Sequence, residues 1–157
     1  MAMMTSTVLT VTDLTMASYP LVKLAAAVAK PAGGEVLLVS TRQGRRARTS
    51  EPGELEPSQA LPGTPLHTAL RHEGQLLEKQ REWCARTGVR CSAELLDDGH
   101  WPNLVLGAAR RAGADLILLR EHFGGENGRV IPEEMQILAH DAPCPISWVR
   151  LPPLWGL

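Results

Sequence analysis

The residues best suited to chemistry stand where short apolar runs end. Thr12 and Asp13 close and follow the run "TVLTVT", Thr7 to Thr12, so a hydroxyl and a carboxylate sit together at its carboxyl end. An acid there can receive the donors of a ligand, or it can hold the amides of a following helix. Gly124, Gly125 and Gly128, with Arg129 beside them, follow the run "DLILL", Asp115 to Leu119. Glycines let backbone amides approach a phosphate closely, and Arg129 could add a bidentate donor. The same glycines also suit a tight turn after a strand. Asp97, Asp98 and His100 follow a third apolar run, and Glu121 and His122 follow "DLILL", so five oxygen and imidazole ligands could face one crevice. No metal site is expected from them, because no spacing such as His-Glu-x-x-His occurs and strand-end turns use the same residue types. A nucleophile elbow, a Walker loop with its lysine and an acid pair framed by apolar residues are all missing, so no enzymatic turnover is expected.

The elements that must position these residues alternate along the chain. Five short apolar runs are read as strands: Thr7 to Thr12, Glu35 to Ser40, Val89 to Leu96, Asp115 to Leu119 and Pro145 to Arg150. Helical patterns separate them, which is the arrangement that builds a parallel sheet covered on both faces. Leu21, Leu24, Ala25 and Val28 recur at helical spacing between Thr15 and Lys30, and Pro31, Gly33 and Gly34 end that helix. A second helix is expected from Leu66 to Arg86 with Leu70, Leu77 and Cys84 inward, and a third from Trp101 to Ala112 with Pro102 in its first turn. A fourth is expected from near Pro132 to about His140. The stretch from about 44 to 65 carries prolines and glycines among charges with no apolar period, and is read as a mobile loop inside one domain. That domain spans 1–150, with residues 151–157, "LPPLWGL", as an apolar tail in which the docking of Trp155 is left open.

Composition narrows the function. A chain of 157 residues, 44% hydrophobic and 21% charged, fits one globular domain. A net charge of −1 supplies no field that would gather nucleic acid or an anionic membrane, and the cluster Arg42, Arg45, Arg46 and Arg48 has no aromatic residues interleaved for base stacking. No apolar run approaches the ~20 residues of a membrane span, and the Met-rich start lacks the basic region of a secretory signal. A cytoplasmic protein is expected. Cys84, Cys91 and Cys144 are odd in number without a Cys-x-x-Cys pair, which favours reduced structural thiols over a disulfide framework.

Three stretches, in order and at roughly the right spacing, resemble the universal stress protein family: "VTDLT" at Val11 to Thr15, "AGADLILL" at Ala112 to Leu119, and "HDAPCPISWV" at His140 to Val149. The prolines around Cys144, in Ala142-Pro143-Cys144-Pro145, are the most specific part. The resemblance implies a doubly wound α/β fold, a five-stranded parallel sheet of order 3-2-1-4-5 with helices on both faces. It also implies that Thr12 and Asp13 would line an adenosine-nucleotide pocket with Val39 packed nearby, and that Gly124, Gly125, Gly128 and Arg129 would meet phosphates if ATP or AMP binds.

The family's phosphate loop is Gly, two residues, Gly, nine residues, Gly, then Ser or Thr, and this chain departs from it. Arg120 falls at the first glycine, while Pro132 and Glu133 fall where the last glycine and hydroxyl belong. Pro132 lacks an amide hydrogen, and Glu133 and Glu134 bring carboxylates to the positive end of a helix. Weak or absent ATP binding is therefore expected, with no cofactor, in a stress-response or regulatory homodimer paired through Ile146 and Trp148 of the last strand. An ATP- or AMP-binding member of the family and a small nucleotide-dependent α/β enzyme are the alternatives.

Overall fold

The computed structural model describes residues 6–41, 65–96, 99–120 and 130–150, with the side chains of 65–70 excepted. The 44–65 loop up to Pro65 and the 151–157 tail with Trp155 lie outside those residues. Five strands, β1 (Thr7–Val11), β2 (Glu35–Thr41), β3 (Arg90–Leu96), β4 (Leu116–Arg120) and β5 (Ile146–Val149), pair in parallel in the order β3-β2-β1-β4-β5. Four α-helices connect them: α1 (Tyr19–Ala29), α2 (Pro65–Ala85), α3 (Trp101–Ala112) and α4 (Pro132–Asp141). The sheet order expected from the resemblance is the one observed.

Alternation along each strand divides the core into two clusters. Leu9, Val11, Leu37, Val39, Ile117 and Leu119 face α3 and α4, while Val8, Val36, Leu38 and Leu118 face α1 and α2. β1 and β2 are buried on both faces, so they are apolar or Thr at nearly every position, as a central parallel strand requires. Each fully buried aliphatic side chain here stabilises the fold by about 1.5–3 kcal/mol.

One helix face differs from the expected one. Leu24 and Val28 are 37% and 41% exposed, and the sheet is met instead by Leu21, Val22, Ala25, Ala26 and Ala29. An apolar arc wider than one stripe leaves the spacing rule with several solutions, and alanines allow the closer approach of helix to sheet. Leu77 and Cys84 of α2 are buried as expected.

The amino-terminal edge of the sheet is fixed by close backbone contacts. The Thr7 amide donates to Asp115 Oδ2 at 2.9 Å, and the Asp115 amide returns a bond to the Thr7 carbonyl at 2.8 Å. Gly34 packs against the Ser6 carbonyl so tightly that a Cβ would lie 1.9 Å from that oxygen, and only glycine permits this entry into β2. Strand order reverses about β1, whose neighbours are β2 and β4, so the carboxyl ends of these strands open the crevice where doubly wound sheets bind ligands.

Candidate functional site

The first side of the crevice is the turn after β1. The Thr12 amide still donates to the Val39 carbonyl at 2.8 Å, which continues the ladder past the strand's end. The chain then bends through Leu14, which is buried with φ 67, a conformation that costs a non-glycine residue about 1 kcal/mol or more. Side chains hold it there. Thr12 Oγ1 accepts the Leu14 amide at 3.1 Å and donates to Gln80 Oε1 at 2.6 Å. Gln80, on the inner face of α2 and 1% exposed, donates in turn to the Thr15 carbonyl at 3.5 Å.

Asp13, 2% exposed, organises the same turn. Its Oδ1 accepts from the Thr15 amide (2.9 Å), the Thr15 hydroxyl (2.5 Å) and the Ser18 hydroxyl (2.6 Å). Ser18 Oγ accepts the Asp13 amide at 3.1 Å, so the two residues bind each other reciprocally. Asp13 Oδ2 faces Arg120, whose Nη1 is 3.8 Å away. That nitrogen is buried and makes no hydrogen bond among the described residues. The carboxylate therefore gathers the turn leading into the short 3₁₀ stretch Met16–Ser18 and neutralises a cation from the end of β4.

The second side is the amino terminus of α4. Pro132 occupies its first turn, where a missing amide hydrogen is tolerated. Glu134, 6% exposed, turns its carboxylate back onto that terminus: Oε1 accepts the Ile131 amide at 3.0 Å, which is half of a capping box. Oε2 accepts the indole N–H of Trp101 and lies 3.8 Å from His100 Nε2. Trp101 opens α3, is 1% exposed and packs in the same cluster as Val11 and Val39. Glu133 is exposed, so of the two acids Glu134 is the one that occupies the positive end of the helix.

The expected site residues divide clearly. Thr12 and Asp13 stand together at the end of β1, and Val39 is a core residue, fully buried, whose carbonyl is already bonded to Thr12. Gly124, Gly125, Gly128 and Arg129 lie outside the described residues, as do Asp97, Asp98, Glu121 and His122. Among the described residues no three His, Cys, Asp or Glu side chains gather as metal ligands. Cys144, half-buried beside the cluster on the α3 and α4 face, has its thiol held above the usual range by burial and by the Asp115 charge. Gln80, Ser18 and the pairing of Trp101 with Glu134 were not anticipated from sequence. Gln80 carried a usable signal: it lies between Leu77 and Cys84 on an inward face, and a polar residue there needs a partner.

No family model matches the sequence, and no curated protein matches it significantly. Solved structures do. A universal stress protein family member from Burkholderia pseudomallei superposes with a TM-score of 0.61 at 20% identity, over 95% of this chain and 98% of that one. The universal stress protein UspA from Lactobacillus plantarum gives 0.65 at 15% identity, over 93% and 98%. A universal stress protein from Archaeoglobus fulgidus in complex with dAMP gives 0.63 at 15% identity, over 95% and 100%. With the 3-2-1-4-5 parallel sheet and its flanking helices, these likenesses show that the chain has the universal stress protein fold.

Proposed function

We propose that this chain is a universal stress protein-like regulatory binding protein, acting as a homodimer without turnover, and that it is not an efficient ATP binder. One observation carries the reading: both polar sides of the crevice are satisfied from within. Asp13 spends Oδ1 on three internal donors and turns Oδ2 toward Arg120, while Glu134 occupies the α4 terminus that a phosphate would use. A ligand anion would have to displace a capping carboxylate of its own sign, and would find no amide hydrogen at Pro132. The dimer is placed on β5, an edge strand whose Ile146 and Trp148 stay half-exposed and gain by being covered. A cytoplasmic location goes with this reading, and among the described residues no helix is long and apolar enough to cross a membrane.

The second reading is an ATP- or AMP-binding protein, and the dAMP complex of the Archaeoglobus fulgidus neighbour favours it. Thr12, Asp13 and Val39 with Gly124, Gly125, Gly128 and Arg129 would then form the site. Calorimetric titration with ATP and with AMP, Mg²⁺ present, separates the two readings. The expected result is no saturation below about 1 mM, equivalent to less than about 4 kcal/mol of binding. A micromolar dissociation constant for the unsubstituted chain would overturn the proposal. Glu134→Ser combined with Pro132→Gly should raise affinity if the capped helix end is the obstacle. Light scattering on the same sample should give twice the chain mass, and a concentration-independent monomer would remove the dimer.

A further inference from the structure

Away from the crevice, one flank of α1 stays open among the described residues. Leu24 and Val28, four positions apart and so on one side of the helix, are 37% and 41% exposed. A rotation of about 100° per residue puts Tyr19 and Lys30 on the opposite flank. That flank is occupied: Tyr19 meets Trp83 of α2 edge to face with ring centroids 5.1 Å apart, and the Lys30 side chain lies beside Gly88 in the turn after α2. Because α2 lies over β2 and β3 while α1 reaches β4, the open flank looks toward β4 and β5. The sheet beside it is apolar on that face, where Leu116 of β4 and Val149 of β5 are half-buried and pack against the cluster of α1 and α2. A shallow groove therefore runs between α1 and the β5 edge, with Leu24 and Val28 as its wall.

The chain leaves the described fold at the end of this groove. β5 ends at Val149, and residues 151–157 follow as Leu-Pro-Pro-Leu-Trp-Gly-Leu, without a charged side chain. Pro152 and Pro153 lack the amide hydrogens that would extend the strand ladder, and both favour the polyproline conformation with its three residues per turn. A repeat of three puts Leu151, Leu154 and Leu157 along one edge. All the strands are parallel and α1 follows β1, so α1 starts at the end of the sheet where β5 finishes. At about 3.1 Å per residue, Leu154 and Trp155 come about 12 to 16 Å beyond Arg150. Leu24 and Val28 stand about 8 to 14 Å along the helix from Tyr19, so the reach matches the stripe.

We propose that residues 151–157 dock on their own subunit, in the groove between α1 and β5, with Leu154 and Trp155 against Leu24 and Val28. Composition, attachment and reach select this occupant together. An uncharged segment with three leucines and a tryptophan matches a groove walled by aliphatic side chains, and docking removes both apolar surfaces from water. The segment starts two residues after Val149, at the groove's own edge, so its effective concentration there exceeds that of a separate partner. Docking uses the α1 face of the sheet, whereas Ile146 and Trp148 pack on the opposite cluster. The backbone edge of β5 stays open, so the pairing of β5 proposed above is not obstructed.

The full chain should be labelled with 5-fluorotryptophan and followed by fluorine NMR, with the Trp155 signal assigned by its loss in Trp155→Phe. The expected Trp155 signal stands apart from that of the free amino acid. Leu24→Glu with Val28→Glu should move it to the free position, while the Trp83 and Trp101 signals hold and show that the fold is intact. If that pair unfolds the chain, Val28→Lys alone gives the same reading, and Lys23→Glu, away from the groove, should leave the signal in place. A Trp155 signal at the free position in the unsubstituted chain would overturn the proposal, as would a displaced signal that ignores the groove substitutions. Labelled chains carrying both groove substitutions, refolded with an excess of unlabelled unsubstituted chain, should keep the free signal. Its recovery would place the segment on a second copy and overturn docking on its own subunit.

Discussion

The two sides of the crevice solve one problem by different means. After β1, Asp13 binds donors from Thr15 and Ser18, all within five residues, and pairs with the distant Arg120. At α4, Glu134 binds one local amide, Ile131, but its other oxygen takes the indole of Trp101, 33 residues away. The first side is a locally wired turn with a tertiary ion pair added. The second is a helix cap completed by a neighbouring helix. A ligand entering the first side would have to break bonds that hold the backbone, including the left-handed Leu14, whereas entry at the second would break a cap and one cross-helix bond. The β1 turn is accordingly the more rigid of the two, and the α4 end is the easier to reopen.

The largest expected effect breaks the first side. Asp13→Ala removes the acceptor of three internal bonds and leaves Arg120 without its counter-charge, which should lower stability by about 3 kcal/mol in urea unfolding. Asp13→Asn should cost less, since it keeps an acceptor for the turn. A loss below about 1 kcal/mol for Asp13→Ala would mean that the turn is held by packing instead, and the comparison would fail.

A smaller effect is expected at the second side. Trp101→Phe keeps most of the buried ring but deletes the donor to Glu134, and should cost about 1–2 kcal/mol. Combined with Glu134→Gln in a double-mutant cycle, it should show a coupling of about 1 kcal/mol. Additive losses would mean that the two side chains act independently and that the cap does not need α3.

The smallest effect lies outside both sides and calibrates them. Glu78 and Arg81 of α2 form an exposed pair at 2.5 Å, and the hydrogen bond to Arg81 lowers the Glu78 carboxyl below its usual range. A depressed carboxyl contributes only above its unfolded-state pKa, and the contribution disappears as pH falls through the folded value. Solvent screens so exposed a pair, so Glu78→Gln should leave the urea midpoint unchanged at neutral pH and in acid. A clear shift at neutral pH that vanishes in acid would show that surface charge matters on α2 as much as the buried network does.

The sequence by itself determined the element types, the strand order through the family resemblance, and the place of Thr12 and Asp13 at the end of β1. These rest on short-range facts: apolar runs buried on both faces, glycines and prolines where helices stop, and an acid followed by hydroxyls within hydrogen-bonding reach. The sequence also put an acid at the start of α4. Only the tertiary structure decided which acid turns inward, because Glu133 and Glu134 differ by one position, and the indole of Trp101 reaches only the second. Likewise, Leu24 and Val28 were placed inward by spacing alone, yet the rotation of α1 is set by how closely Ala25, Ala26 and Ala29 let it approach the sheet. Gln80 with Thr12 and Arg120 with Asp13 meet because parallel strands and crossover helices bring together positions separated in the chain. Such partnerships depend on where each element finally packs, and no local spacing encodes that.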